Sequence, residues 1–343
     1  MGKYTGPQFF WDQFSYHPPV VRADLTGQTV IVLGANVGLG YEAAKHFATM
    51  GARVIMACRS KERGSAAVDR LQEETGVRNA ELRIVDLADF ASVKSFAAVI
   101  EAECDRVDFL ILNAGVLSSS DPVKTVDGWE STIQVNVLAS SMLALLLLPT
   151  MLETARRYHV MPRVVVVSSS VHYWLDPWDK KTLERAELLK ALSETKDFTP
   201  MRRYYESKLF NVFFTRALNE RLRPTHPTIV VNSVNPGLAE SSLRRDMDES
   251  ALPWSMRLMH FFLTVSSEVG SRELVWAALG GRERAEALRG AYIDRCEVRE
   301  PSDFALSEEG RIMQDRVWRE IVEVTSEAEP RVKEIVTKYL LDL

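Results

Sequence analysis

The chain has 343 residues, of which 46% are hydrophobic and 26% charged, and its formal net charge is -5. That ordinary balance excludes a disordered, collagenous or coiled-coil chain, and an acidic surplus has the wrong sign for binding nucleic acid or an anionic membrane. Three widely spaced cysteines, Cys58, Cys104 and Cys296, make neither a disulfide framework nor a metal knuckle, which fits a reducing, cytoplasmic setting.

Residues 1–24 place Phe9, Phe10, Trp11, Phe14 and Tyr16 among prolines, without the basic segment and continuous apolar run of a signal peptide. They read as an extended arm whose rings pack on the body. Residues 29–33 are a β-branched run between glycines, the pattern of a strand buried on both faces. Helical spacing follows from Ala43 to Met50, with Gly51 as a stop. Further strands are expected over 53–57, 81–85, 107–112, 163–167 and 228–234, and helices over 61–74, 90–103, 131–154 and 203–222. Such alternation predicts an α/β fold: a Rossmann-like, doubly wound parallel sheet with helices on both faces, as a single domain over residues 25–300. Residues 301–343 are expected to append a helical segment with apolar spacing through Ile312, Val317, Trp318, Ile321 and Val324. The apolar run 135–152 contains Asn136, Ser140, Ser141 and Pro149, so it reads as a buried or subunit-contact helix, not as a transmembrane span.

In open α/β sheets ligands bind beyond the carboxyl ends of the strands, which directs attention to the residues just after each one. Gly34, Asn36, Val37, Gly38, Leu39 and Gly40 form a glycine-rich turn into a helix, where backbone N–H groups can approach a pyrophosphate. Arg59 follows the second strand, with Lys61 and Arg63 close by. An acidic residue there would bind ribose hydroxyls; these cations suit a 2′-phosphate and therefore NADP(H). Asp86 and Leu87 follow the third strand, where the carboxylate could accept an adenine amino group or cap the next helix. Asn113, Ala114 and Gly115 leave room above the sheet for a flat cofactor. Ser168, Ser169 and Ser170 follow the fifth strand. Tyr204 and Lys208 stand four apart and share a helix face. A phenol with a pKa of about 10 becomes a usable acid/base when an ammonium lies beside it.

These motifs, with Asn136 and Asn235-Pro236-Gly237, resemble the short-chain dehydrogenase/reductase superfamily from Leu25 to about Ile293. Ala57-Cys58-Arg59-Ser60 and Ser207-Lys208-Leu209-Phe210-Asn211-Val212 are similar to its retinol-dehydrogenase-like branch, and the aromatic arm to fungal members of that branch. The resemblance implies a catalytic tetrad. Tyr204 would exchange a proton with the substrate oxygen, Lys208 would hold the nicotinamide ribose and lower the Tyr204 pKa, Ser169 (or, one register away, Ser168 or Ser170) would hold the substrate oxygen, and Asn136 would anchor a water. Pro236, Gly237, Leu238 and Ser241 would border the nicotinamide half. Leu33 departs from the family's usual threonine, and the stretch from about 171 to 200, with His172 and Trp178, is a long insertion. Family members of this branch often carry an N-terminal membrane anchor, which this sequence lacks, so a retinoid is not implied.

Residues 238–266, rich in Trp254, Met256, Met259, Phe261 and Phe262, are expected to cover a hydrophobic small-molecule substrate. The C-terminal segment is expected to pack on the domain or on a second copy of the chain, and the Leu145-rich helix is the other expected surface for pairing. The activity expected is alcohol–carbonyl interconversion. Two rivals are a non-catalytic dinucleotide-sensing protein and a redox-linked isomerase or dehydratase.

Overall fold

The structure, a computed structural model, describes residues 11, 17–118, 121–175, 178, 184–226, 228–240 and 264–342. Among them, β1 (Thr29–Leu33), β2 (Arg53–Cys58), β3 (Ala80–Ile84), β4 (Phe109–Leu112), β5 (Arg163–Val167), β6 (Val230–Asn235), β7 (Tyr292–Asp294) and β8 (Glu297–Arg299) form one sheet. Its order is β3-β2-β1-β4-β5-β6-β7-β8. Strands β1 to β7 are parallel and β8 returns antiparallel to β7. The chain therefore winds outward from β1 in one direction and from β4 in the other, and the crevice between those two strands is the switch point of the fold.

Alternating side chains divide the strands between two cores, because successive residues of a strand point to opposite faces. Val30, Val32, Val54, Met56, Phe109, Ile111, Val165 and Val167 face the core covered by α1 (Gly38–Thr49), α2 (Lys61–Thr75) and α7 (Ser267–Leu279). Ile31, Leu33, Ile55, Leu110, Leu112, Val164 and Val166 face the opposite core. It is covered by α3 (Phe90–Glu103), α4 (Ser131–Tyr158) and α6 (Pro200–Arg221). The expected fold class is the one observed.

On the second face the C-terminal chain adds another layer. After the short α8 (Asp303–Leu306), α9 (Glu308–Ala328) packs on α6, and α10 (Arg331–Tyr339) packs on α4. Pro330 lacks an N–H and separates the two helices. The buried face of α9 is Met313, Val317, Trp318 and Ile321, so Ile312, placed on that face by the sequence spacing, is 64% exposed instead. Helix α4 is apolar and long enough to cross a membrane, but 89% of its most apolar window is buried within the protein. Leu145, Leu146, Leu147 and Leu148 are at most 1% exposed. This corrects one expectation: the chain's own helices cover the Leu145-rich face, so it is not a free surface for a second copy.

Within the insertion, the charged stretch 180–190 has a helix-like pattern. Residues 179–183 lie outside the described residues, and the helix observed nearby, α5 (Leu188–Glu194), starts later. Its start is fixed by Glu320 of α9, whose carboxylate accepts from the Leu188 and Leu189 N–H groups at 2.8 and 2.7 Å. Of the N-terminal arm, Val20, Val21 and Ala23 pack against the first core and Arg272 donates to the Pro18 carbonyl at 3.2 Å. Phe9, Phe10, Phe14 and Tyr16 lie outside the described residues.

Candidate functional site

The glycine turn after β1 depends on close backbone approach. Gly34 and Gly38 have φ of +70° and +62°, a region that a side chain disfavours. A Cβ on Gly40 would come within 2.5 Å of both the Asn113 amide nitrogen and the Gly34 carbonyl oxygen. Asn113 Nδ2 bridges the switch-point crevice, donating to the Leu33 carbonyl at 2.8 Å. Its role at the end of β4 is thus to hold the turn. Helix α1 begins beyond Val37, which offers no side-chain cap to its first N–H groups. Asn36 and Leu39 are half-buried beside it. The cradle is of the kind that receives a pyrophosphate, and its fit follows from the room the missing Cβ atoms leave. Gly40→Ala is expected to lose about 1–3 kcal/mol of stability through overpacking. A urea midpoint equal to that of the wild type would show that the turn tolerates the methyl.

Arg59, Lys61 and Arg63 are exposed just beyond β2, and among the described residues none enters an ion pair. Ser60 between them caps α2, its hydroxyl accepting from the Arg63 N–H at 3.3 Å. Asp86 accepts from the Ala88 N–H at 2.9 Å, and Asp89 is the residue that caps α3. Of the two local roles open to Asp86, capping is therefore taken by its neighbour. Leu87 is buried beneath it.

The far side of the crevice gathers the remaining residues. In α4, residues Gln134–Ala139 form a π-helical stretch, an irregularity often found at functional sites. Asn136 lies within it. Its side chain accepts from the Val116 N–H at 2.8 Å and donates to the Val116 carbonyl at 3.0 Å and the Ser207 hydroxyl at 3.1 Å. Gly115 fills the gap between these groups: a Cβ there would stand 3.3 Å from Asn136 Oδ1 and 3.8 Å from Lys208 Nζ. Ala114 precedes it, half-buried against the core.

Lys208 is buried on α6 and donates to the Val167 carbonyl at 2.8 Å. Burial alone lowers its pKa to about 8, because desolvation penalises the ammonium. Its Nζ lies 5.4 Å from the centre of the Tyr204 ring. Tyr204 is half-buried one turn earlier. The three serines after β5 differ in surroundings. Ser168 is buried and donates to the Lys208 carbonyl at 2.8 Å, and Ser170 is buried with its N–H on Asn235 Oδ1 at 3.1 Å. Ser169 alone of the three is half-exposed, its hydroxyl accepting weakly from the Val171 N–H at 3.4 Å. Asn235 also accepts from the Gly237 N–H at 3.2 Å, and it donates to buried Asp294 at 3.0 Å. Pro236 is buried, and Leu238 stands at the foot of the expected lid, where its carbonyl accepts from the Val265 N–H at 2.9 Å. Ser241 and residues 241–263 lie outside the described residues.

His172 is buried and neutral: desolvation lowers its pKa to about 4. One ring nitrogen meets the Ser169 carbonyl at 2.7 Å and the other accepts from the Ser302 N–H at 3.1 Å. It ties the C-terminal segment to the Ser169 turn. Sequence reasoning missed Ser207 and the buried acids Glu130 and Glu206. Glu130, one residue before a predicted helix start, was the one available signal.

Comparison with known proteins agrees with this fold. Residues 28–173 match the short chain dehydrogenase family. The short chain dehydrogenase/reductase dmxR8 of Cryptosporiopsis sp. (strain 8999) is 34% identical over 331 residues, covering 94% of this chain and 98% of that protein. A solved protein from Mycobacterium Paratuberculosis superposes with a TM-score of 0.67 at 26% identity, covering 90% of this chain and 98% of its own. A short chain dehydrogenase from Shigella flexneri 2a str. 301, solved complexed with NADP, shares the fold. Its TM-score is 0.58 at 23% identity, covering 81% of this chain and 100% of its own. The chain belongs to the short-chain dehydrogenase/reductase family of oxidoreductases.

Proposed function

We propose that this protein is an NADP(H)-dependent oxidoreductase interconverting an alcohol and a ketone or aldehyde on a hydrophobic small molecule. A secondary metabolite of terpenoid or polyketide type is the substrate class we favour. The observation that carries the reading is the grouping of Ser169, Tyr204 and buried Lys208 around the end of β5, beside the Gly115–Asn136 floor. A binding-only protein has no use for a buried ammonium next to a phenol.

When bound, the dinucleotide supplies or accepts the hydride. Gly34, Gly38 and Gly40 would cradle its pyrophosphate, Asp86 and Leu87 would border the adenine, and Pro236, Gly237, Leu238 and Ser241 the nicotinamide half. In reduction, Tyr204 gives its phenolic proton to the substrate oxygen while Ser169 holds that oxygen in line. Lys208 steadies the resulting phenolate by its charge, and a pKa of about 8 lets it pass a proton near neutrality. Asn136 has both side-chain groups engaged with Val116 and Ser207, so it acts by holding the floor on which a water would sit. Oxidation runs the same proton path in reverse.

Arg59 and its neighbours support NADP(H) over NAD(H), and the NADP found in the similar Shigella flexneri fold agrees with that choice. Arg59→Ala is expected to weaken NADPH binding about tenfold, since a charge-assisted hydrogen bond at an exposed position retains only part of its strength. NADH binding should not change. Fluorescence titration with both dinucleotides checks this; equal losses for the two would remove the 2′-phosphate contact from the account.

A further inference from the structure

Charged groups are buried behind the first turn of α6, on the side away from the Tyr204–Lys208 face. Glu130 is fully buried and its carboxylate accepts from the Thr132 and Ile133 N–H groups at 2.9 and 3.2 Å, capping α4. The same carboxylate meets the Arg203 guanidinium at 3.4 Å. Arg203 is itself buried and donates to Glu206 at 2.9 Å. Glu206 also accepts from Arg202 at 3.2 Å and from the indole N–H of Trp178 at 2.9 Å. The insertion thus reaches the same cluster twice, for the Ser193 hydroxyl accepts from the Glu130 N–H at 2.7 Å.

Burying charges is costly and does not by itself stabilise a fold; its best-attested use is to fix one arrangement of the elements that carry them. The helix geometry says what is fixed here. At roughly 3.6 residues per turn, Arg203 and Glu206 lie on one face, and Tyr204 and Lys208 lie on another. Turning α6 so as to misalign Tyr204 would pull Arg203 away from Glu130 and Glu206 away from the Trp178 indole together. Glu130 meanwhile starts the helix that brings Asn136 to Ser207. We propose that Arg203, locked between Glu130 and Glu206 and braced by Trp178 of the insertion, is a positioning residue that sets the orientation of Tyr204. The insertion then serves as a brace behind the acid/base helix.

This inference rests on the acid/base role of Tyr204, so Tyr204→Phe is measured beside the other variants. The assay is reduction by NADPH of a hydrophobic ketone that the wild type turns over, in water and in deuterium oxide. Arg203→Met should lower kcat about tenfold to a hundredfold, the scale of a misplaced reacting group. KM and NADPH affinity should hold, and the solvent isotope effect on kcat should rise as proton transfer becomes the slow step. Arg203→Lys should recover part of the loss. Trp178→Phe keeps the ring stacked on Phe210, at 5.8 Å, and loses only the hydrogen bond, so it should move kcat and isotope effect in the same direction by less. If Arg203→Met fails to fold, Trp178→Phe decides. Wild-type kcat and isotope effect in the folded variants, with Tyr204→Phe inactive, would overturn the positioning role alone. So would a fall in kcat matched by lost NADPH affinity. Full turnover by Tyr204→Phe would instead overturn the reading beneath it.

Discussion

Tyr204→Phe is expected to lose about a hundredfold to ten-thousandfold in kcat, the usual worth of general acid–base catalysis. The substitution removes one hydroxyl from a half-buried ring and leaves Lys208, the glycine turn and the Asn136 floor in place. NADPH affinity and the urea midpoint should therefore match those of the wild type. Tyr205 offers a control, because it lies next in sequence on a different helix face and burial raises its pKa, away from useful acid strength. Tyr205→Phe should keep most of the activity. The two variants together separate loss of an acid from disturbance of the helix.

Trp318→Ala should cost about 3–5 kcal/mol, the range for truncating a buried aromatic. Its ring is 5% exposed, stacks on Phe214 of α6 at 5.9 Å and lies 5.2 Å from the Arg221 guanidinium. It sits where α9 meets the helix that carries Tyr204, so the second layer and the site share one support. Urea denaturation reads the loss from the midpoint at constant slope. A loss below about 1 kcal/mol, the size of an ordinary surface change, would mean that α9 contributes little to the folded domain.

The sheet was legible where its strands are β-branched runs buried on both faces, and β1 and β5 begin and end where the residues predict. Strands β7 and β8 were not. Each has three residues, and the turn between them places Arg295 and Cys296 at φ of +58° and +55°, where glycine or asparagine would have signalled a hairpin. The Tyr204–Lys208 pair was readable because four residues along a helix is a local relation. The Glu130–Arg203 pair spans 73 positions, and only the packing of α4 against α6 brings it together. His172 is similar: its structural role depends on Ser302, 130 residues away. The Leu145 run announced a buried helix, but composition could not say whether a second copy or the chain's own C-terminus would cover it.

The lid expected over residues 238–266 begins three residues after β6. Its foot is closed by a parallel bridge between Ala239 and Val265. Close behind, a Cβ on Gly270 of α7 would meet Ala239 and Leu39 side chains at 2.7 Å, so both close on that glycine. The foot of the expected lid and the start of α1 therefore meet at Gly270.

The measurement that tests the central claim most directly is NADPH consumption by the wild-type protein against a panel of hydrophobic ketones and aldehydes, with product identification. At least one should be converted to its alcohol, with one NADPH consumed for each alcohol formed. Tight NADPH binding with no turnover of any member, or an isomerised or dehydrated product with no net NADPH consumed, would contradict it.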